Sequence, residues 1–282
     1  MYLKIILLQW INEIMVNDSD QHWFEIIKQK DYLYVIRERL DEIDPRFHTT
    51  YTNLFLILGS HSALLIDTGC GLFPLKPILN DIVKDKTLLV INTHSHFDHI
   101  GGNHEFDEIL IHNEELKSIS MPSDISFLKN SPKEITKRYK SRKYTIQPAN
   151  KIKDIKDMEI IELGGVTVKI VHTPGHSRGS ISLLTNKNEL FTGDTAHYGA
   201  MYISKENFPA HLASISRLLT LFQENKNIEI YPSHEEYAVG KDLLIELYKG
   251  IQNIENIWGT KVRDDFIDAW LLSDENFKYL VF

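Results

Sequence analysis

In the stretch "VINTHSHFDHIGGN" (residues 90–103), His94, His96, Asp98 and His99 fall within six consecutive positions, directly after an apolar run. Imidazole nitrogens and carboxylate oxygens are the ligands that borderline divalent cations prefer. In an extended chain leaving a strand, residues two apart face the same side, so His94 and His96 can converge on one ion. If the chain then turns into a helix, Asp98 and His99 swing to an adjacent direction and can serve a second ion, while Gly101 and Gly102 let the backbone pass close. With 13 histidines in 282 residues, a chance H-x-H-x-D-H has a probability on the order of one in a thousand, so the pattern is specific.

Two ions need more than four ligands. Further donors stand at three expected strand ends: His176 in "HTPGHSRGS", Asp194 in "FTGDT" and His234 in "YPSHE". Each follows an apolar run, and in α/β architectures functional groups gather where strands give way to loops. The other histidines lack this context. His104 and His112 read as surface or supporting residues and His172 as part of a strand, while His22, His48, His61 and His211 belong to no motif.

The elements that would position these groups are legible in outline. Strand-like runs cover residues 32–38, 53–59 and 63–69 as a β-meander. A short helix over 75–84 followed by a buried strand over 87–93 makes a βαβ step that feeds the histidine cluster. The second half repeats the scheme, with strands in "MEIIEL", "VTVKIVHT", "SISLLT" and "ELFTGD", a helix near 211–223, a strand "IEIYP" and a helix near 241–256. Two similar halves suggest a pseudo-duplicated fold. Between them, residues 121–144 are polar, proline-marked and dense in Lys and Arg. That segment reads as a helical insertion with a solvated face, and holding a phosphate-bearing substrate is the alternative.

The chain divides into an N-terminal extension (1–20), a domain (21–256) carrying the insertion, and a C-terminal extension (257–282) that packs on the domain or on a partner subunit in a homodimer. A formal charge of −8 argues against nucleic-acid binding, which needs a basic face. The N-terminal "MYLKIILLQWINEIMV" is too short and polar to span a bilayer and lacks a cleavage site, so no membrane role is expected. The single cysteine, Cys70, excludes an internal disulfide and fits a cytoplasmic protein. With no basic neighbour in sequence, it reads as a packing residue.

As an ordered set, "LIDTG", "THSHFDHIGG", "HTPGHSRGS", "FTGDT" and "PSH" resemble the metallo-β-lactamase superfamily hydrolases over residues 23–254. The resemblance implies a four-layer αββα sandwich with two Zn²⁺ at one edge of the paired sheets, iron or manganese suiting the same ligands. It implies His94, His96 and His176 on the first ion, Asp98, His99 and His234 on the second, and Asp194 bridging them. Asp67 would orient ligands rather than bind metal. Within the superfamily the chain is most similar to the glyoxalase II-like branch and its acyl-CoA thioesterase type. Related enzymes often place a tyrosine three residues after the bridging aspartate. Here His197 stands there with Tyr198 next, and either could replace it as a substrate donor.

Two divalent cations among five neutral imidazoles and two carboxylates leave about +2 of charge, which favours a small anionic substrate. The expected reaction is attack of a metal-activated hydroxide on a thioester or ester carbonyl, with Asp98 managing protons. A lactonase, a phosphodiesterase or nuclease, and an iron-dependent sulfur dioxygenase are the alternatives on this fold. A β-lactamase is disfavoured, because Cys70 is remote from every ligand motif.

Overall fold

A computed structural model describes residues 23–282. The expected N-terminal extension (1–20) and His22 lie outside the described residues. Seven strands form one sheet in sequential order: β1 (Glu25–Lys30), β2 (Leu33–Arg39), β3 (Tyr51–Leu58), β4 (Ser62–Ile66), β5 (Thr87–Ile91), β6 (Ile109–His112) and β7 (Ile152–Ile155). The first four are an antiparallel meander, and β4 through β7 run parallel. The second sheet carries β8 (Ile160–Glu162), β9 (Thr167–His172), β10 (Ile181–Thr185) and β11 (Glu189–Gly193). After a strand β12 (Gly199–Ile203) that leaves it, β13 (Glu229–Pro232) pairs parallel with β11.

Alternation along the strands explains the layering, because successive side chains face opposite sides of a sheet. On β3, Phe55 and Ile57 point to one core and Leu54 and Leu56 to another. The Phe55 core also holds Val168, Ile170, Leu183, Phe191 and Tyr231 of the second sheet, so it lies between the sheets. The outer face of the first sheet packs Leu79 and Val83 of the helix Lys76–Val83. The outer face of the second packs Ile215 and Leu218 of the helix Phe208–Glu224 and Leu244 and Leu247 of the helix Asp242–Ile257. Three cores between four layers make the expected αββα sandwich. Each half contains a parallel crossover from a strand that precedes a site loop, β4 to β5 and β11 to β13, which is the physical content of the apparent duplication; the first half adds β5 to β6 and β6 to β7.

Residues beyond 256 build a third sheet, of order β12-β16-β15-β14, from β14 (Val262–Asp264), β15 (Ala269–Ser273) and β16 (Phe277–Val281). Leu272, Phe277, Tyr279 and Val281 join the core of the two long helices, so this segment packs on its own domain. The basic insertion contains the helix Lys133–Arg142. It is pinned at residues 42–43, where the Tyr139 hydroxyl donates to the Ile43 carbonyl and Arg138 Nη1 to the Glu42 carbonyl at 3.0 Å.

At the rim of the paired sheets, the buried Glu189 carboxylate ties β1 and β2 to β11. It accepts from Lys30 Nζ at 2.7 Å, from Tyr32 Oη at 2.5 Å and from the Thr185 hydroxyl. Burial alone would raise its pKa, but these three donors hold it below the ordinary 4.5. A depressed folded-state pKa gives stability that is present above the unfolded value and lost as pH falls below it. Glu189→Gln should therefore cost about 2 kcal/mol at pH 7. Urea unfolding should show the difference from wild type shrinking below about pH 4.5; a difference that does not change with pH would contradict this account.

Candidate metal centre

The loop after β5 behaves as its sequence suggests. His96 keeps extended backbone (φ −70°, ψ 154°) immediately before the helical turn Phe97–Ile100, which rotates Asp98 and His99 away from the preceding pair. The turn can form only because Gly101 packs against the backbone after β4. A Cβ there would sit 2.1 Å from the Cys70 carbonyl carbon. Cys70 itself is buried and its thiol pKa pushed far up by that burial, so it packs rather than reacts.

His94, His96 and Asp194 meet His176, from the loop after β9, with ligand atoms all within 4.8 Å of one another. Asp98, His99 and His234 form a second such group. Asp194 touches both groups: Oδ1 lies 3.2 Å from His99 Nε2, while Oδ2 lies 3.1 Å from His234 Nε2, 3.4 Å from His176 Nε2 and 3.8 Å from His94 Nε2. All seven sequence-read candidates thus converge at one edge of the sandwich. His104, His172 and His211 stay outside; His211 donates to the Thr195 carbonyl and His172 stacks on His112.

The imidazoles are held by their other nitrogens. His99 Nδ1 donates to Asp67 Oδ2 at 2.8 Å, His176 Nδ1 to the Tyr202 carbonyl at 3.0 Å and His234 Nδ1 to the Tyr51 carbonyl at 2.9 Å. The Thr93 hydroxyl donates to Asp67, so His94 Nδ1 donates to Thr93. With Nδ1 protonated and burial keeping these two rings neutral, Nε2 of His94 and of His176 presents a lone pair inward. His94 Nε2 and His176 Nε2 face one another at 3.2 Å, and His96 Nδ1 lies 3.0 and 2.8 Å from them. Facing lone pairs at such distances repel unless positive charge lies among them.

The electrostatics ask for the same thing. Burial opposes a charge on His234, yet Asp194 and Asp98 raise its pKa to about 9. Burial likewise opposes a charge on His99, and Asp194, Asp98 and Asp67 raise its pKa further. Burial pushes His94 and His176 down. Buried His99 Nε2 and Asp194 Oδ1 face one another at 3.2 Å and have no other hydrogen-bond partner. An all-imidazole and carboxylate donor set whose ligand atoms converge inward fits a pair of divalent cations.

The matching family, described as the Metallo-beta-lactamase superfamily, covers residues 49–255. The chain belongs to the metallo-beta-lactamase superfamily. It is an enzyme of the metallo-hydrolase kind. Among curated relatives of this superfamily member, the acyl-coenzyme A thioesterase MBLAC2 of Gallus gallus is 29% identical, covering 77% of this chain and 82% of that protein. The hydroxyacylglutathione hydrolase of Crocosphaera subtropica is 26% identical over 68% of this chain and 66% of that protein. A metallo-beta-lactamase from Pontibacter korlensis superposes with a TM-score of 0.59 over 82% of this chain and 99% of that one, at 16% identity, and shares the fold. Among the described residues of this superfamily member, no helix is long and apolar enough to cross a membrane.

The two candidate substrate donors stay out of the cavity lining, although a His197 ring nitrogen lies within 4.8 Å of ligand atoms of Asp194 and His234. His197 is wholly buried behind His234, its ring 4.9 Å away, with its pKa lowered to about 4 by burial. The Tyr198 hydroxyl donates to Glu246 at 3.2 Å and its ring stacks on Phe277, because the chain enters β12 at Gly199 and carries Tyr198 toward the helix core. Neither lines the cavity over the metal cluster, whereas Asp98 does. Tyr202 lines it instead, and its hydroxyl is buried without a regular hydrogen bond.

Sequence reasoning also missed Glu115. This buried carboxylate accepts from the Ser95 hydroxyl, from Ser177 Oγ at 2.6 Å and from the Gly179 amide at 2.8 Å. It therefore ties the loop of His94 and His96 to the loop of His176. A Cβ at Gly179 would lie 2.5 Å from Glu115 Cγ, so glycine is what lets the amide reach it. Its only sequence signal is a lone acidic pair after a strand. Glu115→Gln should weaken zinc binding about 10- to 100-fold, read by competition with a chromophoric chelator; unchanged affinity would show that Glu115 holds the loops without tuning the ligands.

Proposed function

We propose that the protein is a dinuclear zinc hydrolase that cleaves a thioester or ester carbonyl with water. The observation that carries this reading is the inward convergence of His94, His96, His176, Asp98, His99 and His234 around a shared Asp194. His94, His96 and His176 would hold one ion, Asp98, His99 and His234 the other, and Asp194 would contact both. Bound there, two zinc ions would supply a water with a pKa near 7 and polarise the carbonyl. The thioester choice is supported by the relatives named acyl-coenzyme A thioesterase and hydroxyacylglutathione hydrolase.

The chain's own residues have separate tasks in this scheme. Asp67 and the carbonyls of Tyr51 and Tyr202 fix which imidazole nitrogen is protonated, so the ligand set needs no rearrangement on metal loading. Asp98, at the cavity wall with Oδ2 3.4 Å from the Thr52 hydroxyl, is the acceptor we assign to the proton of the attacking water. The Tyr202 hydroxyl is the donor we assign to the carbonyl oxygen as charge develops on it. Burial raises the pKa of Tyr202, which keeps it a donor at neutral pH. A cytoplasmic site of action, a small-molecule substrate and a homodimer belong to the same proposal.

Protein purified without chelator should contain nearly two zinc ions per chain by elemental analysis. On zinc-loaded enzyme, a panel of an acyl-CoA, S-lactoylglutathione, a homoserine lactone, nitrocefin and bis-p-nitrophenyl phosphate should give its highest kcat/KM with a thioester. Faster turnover of nitrocefin or the phosphodiester would overturn the reading. His96→Ala should abolish thioester turnover with the fold retained by circular dichroism. Tyr202→Phe should lower kcat about 10- to 100-fold with little change in KM, since its bond forms with the developing oxyanion.

A further inference from the structure

The cavity over the metal cluster has two unlike halves. Its floor is polar, formed by His96, Asp98, His176, Asp194 and His234, and its volume is about 580 Å³. Thr49, Ser95, Ser123, Asp124, Tyr202 and Ser204 add polar groups around the rest of the lining, and one continuous wall of it is apolar and mostly aromatic: Phe47, Phe97, Phe127, Phe266, Ile267 and Phe282. The rings pack on one another, Phe47 lying 5.1 Å from Phe266 and 5.6 Å from Phe97, and Phe97 lying 5.3 Å from Phe127. Such ring contacts give the wall a defined shape.

Four of these six, Phe47, Phe266, Ile267 and Phe282, lie outside residues 49–255, the stretch that matches the superfamily. Phe266 and Ile267 sit in the turn between β14 and β15, and Phe282 follows β16. The turn is fastened to the segment that carries Phe47. His48 Nε2 lies 2.7 Å from Asp264 Oδ2, and the Arg46 guanidinium lies 3.9 Å from the Phe266 ring centroid. Arg46 is itself paired with Asp44 at 2.8 Å. Among the described residues lining the cavity, none is lysine or arginine. An anionic group on the wall would find no cation there, whereas apolar surface would shed water favourably.

We infer that the wall completed by the C-terminal strands is an acyl subsite, and that Phe266 and Ile267 select thioesters with an apolar acyl group larger than acetyl. This rests on the thioester reading above. Of the two halves of a thioester, soluble carriers are polar or charged, so the acyl chain is the half that gains by leaving water. The wall meets the ligand cluster at Phe97 and Asp98, which puts a chain lying on it within reach of the carbonyl position. Residues 257–282 thereby become part of the active site.

The test is an acyl series from acetyl to decanoyl on one carrier, N-acetylcysteamine, with zinc-loaded enzyme. It is run beside calorimetric binding of the uncleavable S-alkyl thioethers of the same carrier. Wild type should gain about fourfold in kcat/KM for each of the first several methylenes. The thioethers should tighten with length in parallel. Phe266→Ala should reduce both gains to less than about twofold per methylene, and Phe266→Leu should restore most of them. Ile267→Ala supplies the same reading should Phe266→Ala fail to fold. Cleavage with no gain in chain length, or thioether binding that ignores length, overturns the inference. Thioethers that tighten with length while no thioester is cleaved would sink the thioester reading and leave the apolar subsite standing.

Discussion

Five imidazoles and two carboxylates crowd at one edge of the sandwich, most of them withdrawn from water, and the inward nitrogens of His94 and His176 face one another as acceptors 3.2 Å apart. Lone pairs at about 3 Å from one another are a cost that folding alone does not recover, and cations set among them turn it into attraction. Much of the surrounding structure is explained as preparation for that demand. Asp67 receives His99 and Thr93, Thr93 receives His94, and two main-chain carbonyls receive His176 and His234, so four of the five rings are held by their outer nitrogens.

The sandwich serves this edge by bringing strand ends from both halves to the same place. Parallel crossovers put β5 beside β4 and β13 beside β11, so the loops of His94 and His234 emerge next to those of Asp67 and Asp194. Glu115 then crosses between the loops of the two halves, and Glu189 holds a different set of strands together through Lys30, Tyr32 and Thr185.

What was legible in the sequence follows from locality. His94, His96, Asp98 and His99 announce themselves because extended and helical periodicities act over two to four residues, and His176, Asp194 and His234 because each follows an apolar strand. The strands of the meander and both long helices were readable for the same reason. Glu115 was not, because a carboxylate that accepts from a loop 20 residues before it and from another 62 residues after it has no local pattern. Tyr198 misled because proximity to Asp194 in sequence says nothing about where a ring just before β12 points: the chain turns at Gly199 (φ +86°), and Tyr202, within β12, is the tyrosine that reaches the cavity. β6, β7, β12 and β14 to β16 are short, and their apolar residues alternate too briefly to stand out from loop. Whether the C-terminal segment packed on its own domain depended on β12, the strand that pairs with β16 from 78 residues upstream.

That pairing joins two properties usually thought of separately. In the parallel register of β12 and β16, Tyr202 stands opposite Leu280, and the carbonyl of that same Tyr202 steadies the ring of His176. Strand β16 is thus one peptide unit removed from a member of the candidate ligand cluster. A shift of that strand would pass through the Tyr202 peptide to the ring of His176, so the packing of the C-terminal sheet is coupled to the arrangement of the histidine cluster.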